Sequence, residues 1–195
     1  MAKHLDLEEQ EQLDQIKHFW KQYGNLITWA LIVVLGAFAA WQGWQRWQEH
    51  QGAQAAAMYD ELDRMVQQAD IPKVERAFGD MKSRFGSTIY GAQGGLLAAK
   101  AFHEAKRVDL AKEALGWVAQ QAADPAYQAI ARLRLAGLLA ESKEPKAYED
   151  ALVQLQGTFP ASFTALVADR KGDILTLQGK TAEAKVEYQK AFDGL

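Results

Sequence analysis

The sequence has 195 residues, a formal net charge of −3 and no cysteine, which excludes disulfides, thiolate chemistry and cysteine-ligated zinc. Hydrophobic residues make up 49% and charged residues 24%, too apolar a mixture for a disordered chain. A pI of about 5.8 argues against a nucleic-acid binder, which carries a basic face.

Residues 1–21 carry Lys3, Lys17 and Lys21 against Asp6, Glu8, Glu9, Glu11 and Asp14, and read as an acidic tail. Leu13, Ile16, Trp20 and Tyr23 recur at three- and four-residue steps. Such a stripe suits a membrane interface, a partner's cytoplasmic face, or simply the approach to a span. Residues 22–45 hold no charge, and from Leu26 to Trp41 only Thr28 and Gly36 fall outside the hydrophobic set. As a helix this window reaches roughly 36 Å, enough for a hydrocarbon core of ~30 Å. Tyr23 and Trp29 lie toward one end and Trp41, Trp44 and Trp47 toward the other, as interfacial belts do. A soluble core helix seldom stays apolar on every face for so long, so a transmembrane helix is expected. Ala37-Phe38-Ala39 could pass as a leader-cleavage site, but that leader would be long and rich in acid; an uncleaved signal anchor is expected instead. Lys17 and Lys21 before the span, against Arg46 after it, put the N-terminus in the cytoplasm and the bulk of the chain outside it. Gly36 and Ala40, with Gly43 one turn on, form a small-residue face that another membrane helix could pack against.

Residues 46–69 contain no proline and read as a helical extension of the span. Asp70-Ile71-Pro72 breaks it, with Asp70 placed to cap the next helix. From 70 to 195 the chain shows amphipathic stripes at the 3.6-residue period: Val74, Ala77, Phe78, Met81 and Phe85; Ala111, Ala114, Leu115 and Val118; Ala147, Tyr148, Ala151, Leu152 and Leu155; Ala184, Tyr188, Ala191 and Phe192. Asp124-Pro125 is a helix start, Thr181 a further cap, and no run reads as a strand. Ala111, Ala147 and Ala184 lie 36 and 37 residues apart, each preceded at eight or nine residues by Phe102, Leu139 or Leu175. A period of about 34–37 with two helices per unit marks a tetratricopeptide-like array. Small residues let the paired helices cross closely and large ones fill the space opposite. The last unit fits best, with Gly172, Leu175, Gly179, Ala184, Tyr188 and Ala191 in the order small, large, turn, small, aromatic, small. The expected fold is all-α: one N-terminal transmembrane helix and a helical-repeat (α-solenoid) domain.

Catalytic chemistry has little to stand on. No His pair has metal-ligand spacing, His103 is the one histidine inside the repeat domain, and none of the serines sits in a nucleophile elbow. Gly91-Ala92-Gln93-Gly94-Gly95 lacks the Lys-Ser/Thr of a phosphate loop and reads as a tight helix start. No enzyme, metal or cofactor is expected. A stacked array has a concave side, lined by the first helix of each pair. Aligning Ala99 with Gly172 places Gln93, Leu96, Lys100 and His103 there in one unit, and Asp169, Asp173 and Thr176 in the last.

The acidic start, the segment Gln15-Ile16-Lys17-His18-Phe19-Trp20-Lys21-Gln22-Tyr23-Gly24, the single span closed by Trp41–Trp47 and the helical repeats together resemble the YfgM family, ancillary subunits of the bacterial SecYEG translocon. The resemblance covers the chain end to end. It implies a single-pass inner-membrane protein, N-terminus cytoplasmic, with a periplasmic tetratricopeptide-like domain. It further implies association with SecYEG and the membrane-anchored chaperone PpiD, and a role in passing newly translocated proteins to periplasmic chaperones. The alternative is a membrane-tethered adaptor for another envelope assembly complex.

Overall fold

Beyond residue 70, apolar residues at helical spacing, interrupted by Asp, Pro and Gly, leave this chain little choice but short helices. In a computed structural model the backbone is described for residues 7–194, with side chains in the first helix described at Leu13 and from Lys17 onward. The Ile16 side chain of the expected tail stripe and residues 1–6 of the acidic tail lie outside what is described. The helices are α1 (Leu7–Gln67), α2 (Ile71–Phe85), α3 (Ile89–Glu104), α4 (Val108–Gln121), α5 (Pro125–Ala140), α6 (Pro145–Gln154), α7 (Thr164–Leu177) and α8 (Thr181–Asp193), with a single 3-10 turn at Ala161–Phe163. No strand occurs among the described residues.

The chain divides between His50 and Gln51 into two units. The first contains the apolar window. Leu26, Trp29, Leu31, Ile32, Val33, Val34, Leu35 and Phe38 are all exposed, as are Trp41, Trp44 and Trp47. This helix is long and apolar enough to cross a membrane. At Gly24 the Trp20 indole lies close over the backbone, and the Thr28 hydroxyl donates to the Gly24 carbonyl at 2.7 Å.

The second unit is an array of antiparallel helix pairs. A core runs from Leu62 of α1 through Val74, Phe78 and Met81 of α2 and Phe102 of α3 to Leu115 and Val118 of α4 and Leu135 and Leu138 of α5. A second core joins Ala136 and Ala140 of α5 to Tyr148, Ala151 and Leu155 of α6 and Val167 and Ile174 of α7. Helix α5 is common to both. The end of α1, read from sequence as part of an extension, thus supplies the core of an additional helix pair.

The backbone repeats more plainly than the side chains do. Each first helix of a pair ends on a residue in the left-handed region: Ala69 (φ 54°), Lys106 (φ 62°), Lys143 (φ 57°) and Gly179 (φ 76°), at intervals of 37, 37 and 36 residues. At three of the four the turn is a Schellman motif, in which the Asp70, Arg107 and Lys180 amides reach back to the Met65, Phe102 and Leu175 carbonyls at 3.2, 2.8 and 2.9 Å. Only Gly179 adopts this conformation without a Cβ penalty. Lys106→Gly and Lys143→Gly should therefore each raise repeat-unit stability by up to about 1 kcal/mol, read as a higher thermal midpoint by circular dichroism.

Caps explain the helix starts. Asp70 accepts from the Lys73 amide at 3.2 Å and pairs with its ammonium at 2.6 Å, which holds the carboxyl below its ordinary range. Asp124 accepts from the Ala126 amide at 2.8 Å, with Pro125 in the first turn. Thr181 is not a cap: Lys180 occupies that position without a side-chain bond, and Thr181 is the first residue of α8. The start of α3 is set by Thr88, whose hydroxyl accepts from the Gly91 amide at 3.1 Å. Gly94 and Gly95 lie beyond that start and serve close packing instead: a Cβ on Gly95 would stand 2.4 Å from Val118 Cγ2. In the last stripe Ala184 and Ala191 are buried, but Phe192 is 74% exposed. Its counterpart in the preceding pair, Leu155, is fully buried in the second core with Val167 and Ile174 of α7, whereas Phe192 has no such cover among the described residues.

Candidate partner-binding groove

Helices α3, α5 and α7 are the first members of three successive pairs, and α3 contacts α5 as α5 contacts α7. Along them runs a groove of about 790 Å³. Its apolar part comprises Leu96 and Ala99 of α3, Leu133 and Leu138 of α5, and Ile174 and Leu177 of α7. Its polar lining comprises Lys100, His103, Arg134, Glu141, Lys143, Arg170, Asp173 and Thr176, with Tyr188 closing one side from α8.

Tyr188 is held by shape and by hydrogen bonds. Its ring lies against Gly172, where an added Cβ would stand 2.6 Å away, and its hydroxyl donates to Asp173 Oδ1 at 3.1 Å. Arg170 Nη1 is 3.5 Å from Asp173 Oδ2. Thr176 donates to the Gly172 carbonyl at 2.9 Å. On the opposite wall His103 Nε2 lies 3.0 Å from Glu141 Oε2, joining α3 to the end of α5. Lys100 Nζ is 3.8 Å from Glu104, and both side chains are well exposed.

Five of the seven residues placed on the concave side by sequence line the groove: Leu96, Lys100, His103, Asp173 and Thr176. Gln93 does not; its amide donates to the Tyr127 hydroxyl at 2.7 Å and joins α3 to α5. Asp169 is exposed and lies outside the lining. The contribution of α5 was missed because only the flanking units were aligned. Stepping 37 residues from Leu96 and Lys100 reaches Leu133 and Gly137, so the signal was present. Gly137 is half-buried, and a Cβ there would meet only the end of the Arg170 side chain, at 3.7 Å.

Below the groove, Arg132 fastens α5 to the loop after α6. Its Nε donates to the Gln154 carbonyl at 2.8 Å, its Nη2 donates to the Gln156 carbonyl, and the guanidinium sits 4.2 Å from the Phe159 ring centre. Burial lowers the pKa of this guanidinium. In the first unit Gly36, Ala40 and Gly43 are exposed, and a Cβ at Gly36 or Gly43 would meet nothing within 4 Å.

A family model described as a tetratricopeptide repeat-like domain matches residues 17–195. The chain is 31% identical over 99% of its length to a Neisseria gonorrhoeae protein named ancillary SecYEG translocon subunit, of which it covers 90%. It is 30% identical to the Haemophilus influenzae protein of that name, over 95% of this chain and 89% of the other. To the Escherichia coli protein of the same name it is 24% identical, over 93% and 85%. The family match takes in α1 from residue 17 onward and the whole of the repeat unit. The chain belongs to the tetratricopeptide repeat-like family that contains the ancillary SecYEG translocon subunits.

Proposed function

We propose that this chain is a non-catalytic ancillary subunit of the SecYEG translocon, held in the bacterial inner membrane by residues 22–45. The N-terminus is cytoplasmic and the repeat unit periplasmic. The groove along α3, α5 and α7 receives segments of newly translocated envelope proteins or of PpiD and helps pass clients to periplasmic chaperones. What carries the reading is the end-to-end likeness to ancillary translocon subunits, which spans anchor and repeats together. The groove supports the binding role: it is open, apolar at its base and fringed with charge. The anchor would raise the local concentration of that surface where chains emerge. Gly36, Ala40 and Gly43 are the proposed contact face toward another membrane helix.

Two measurements bear on this. Protease added to spheroplasts should digest the stretch from Phe85 to the C-terminus; protection, alongside a digested external control, would reverse the topology and remove the secretion reading. Gly137→Trp should fill the groove, because Gly137 lines it and a Cβ there would meet only the movable end of the Arg170 side chain, at 3.7 Å. Photocrosslinks from Leu133 to clients should then fall several-fold, while crosslinks from Ala40 to SecY persist. Unchanged client crosslinks would count against the groove, and absent SecY crosslinks would point to another envelope assembly.

A further inference from the structure

The distribution of charge around the groove says more about its occupant than its shape does. The chain as a whole carries a net charge of −3. The groove runs the other way: Lys100, Arg134, Lys143 and Arg170 line it against only Glu141 and Asp173. Both carboxylates are already engaged. Glu141 is 3.0 Å from His103, and Asp173 is 3.5 Å from Arg170 and accepts from the Tyr188 hydroxyl at 3.1 Å. Arg134 and Lys143 are exposed, and neither has an ion-pair partner among the described residues. Arg134 is not spent on structure as its neighbour Arg132 is.

A basic segment entering this groove would find its carboxylates taken and two cations opposing it. An acidic segment finds two cations to neutralise and gives up no existing pair. Leu133, Leu138 and Leu177 beside them offer apolar surface to side chains of the same segment. We infer that the groove selects polypeptide segments in which acidic and large apolar side chains occur together, with Arg134 and Lys143 as the selecting cations. The inference rests on the groove being the partner-binding face. Exposed cations of this kind act mainly on selectivity and association rate, and their effect is screened by salt.

The test uses the full chain in non-ionic detergent and three short fluorescent peptides with identical Leu and Phe positions. The remaining positions are all Glu in the first, all Gln in the second and all Lys in the third. By anisotropy the Glu peptide should bind tightest, and weaken as salt rises. Arg134→Glu with Lys143→Glu should weaken it about tenfold and strengthen the Lys peptide, with the thermal midpoint unchanged because both positions are exposed. Gly137→Trp should abolish binding of all three. If the peptides bind alike, insensitive to salt, but are lost in Gly137→Trp, the groove stands and the charge selection falls. If the Lys peptide binds tightest to the unmodified chain, the inference is likewise overturned. If Gly137→Trp changes nothing, the groove reading fails with it. Dimers that come apart on adding the Glu peptide would assign the groove to a second copy and overturn the inference.

Discussion

Phe102→Ala is expected to lower the stability of the repeat unit by about 3–5 kcal/mol. Phe102 is 2% exposed and heads the largest fully buried side chains. It belongs to the core that joins the end of α1 to α5, so the cavity left behind would touch several helices at once. Native domains hold only about 5–15 kcal/mol in all. The change should therefore depress the thermal midpoint by roughly 10 °C, followed as helical ellipticity on heating. Phe192→Ala is the matched control. That ring is 74% exposed, and its loss should move stability by no more than about 0.5 kcal/mol. A small effect at Phe102 would mean that the core described here is not the one that holds the molecule together.

Gly95 gives the second large effect, with the opposite chemistry. A Cβ there would lie 2.4 Å from Val118 Cγ2 and 3.3 Å from the Phe78 ring. Val118 is fully buried and stiff at χ1, so it cannot swing aside as the end of a long side chain could. Gly95→Val should force α3 away from α4 and cost about 1–3 kcal/mol or more. Gly116, on α4, has nothing within 4 Å of the same construction. Gly116→Ala should stabilise by up to about 1 kcal/mol through helix propensity alone. Urea midpoints for the two variants should move in opposite directions. A stabilised Gly95→Val would show that the α3–α4 crossing is looser than described.

Much of the architecture was legible because it rests on period and punctuation. The apolar window, the caps at Asp70 and Asp124 and the small-large order from Gly172 to Ala191 each encode a local rule, and each took its place in the structure. The repeat that begins inside α1 stayed hidden for a physical reason. Its turn residue is Ala69, and the next two are Lys106 and Lys143. Turn chemistry is recognised by glycine, and only Gly179 supplies it. The small position occupied by Ala99, Ala136 and Gly172 is Leu62 in that unit, so the side-chain signature is missing as well. The groove was read from its two ends, and the middle wall followed only once α5 was set between α3 and α7. The sequence places His103 on the concave side but not its partner: the Glu141 carboxylate that engages it lies 38 residues away, a separation that no local pattern reports.

Helix α5 lies in both cores, and no other helix of the array supplies buried residues to the two of them. Cooperativity must therefore pass through a single rod. The hairpin α7–α8 can loosen as a subdomain while α2–α4 keep their order, since the loss is confined to the second core. One bank of the channel is thus hinged on the same element that supplies Arg134 and Gly137. Whatever settles between the banks would bolt two otherwise separable melting units into one.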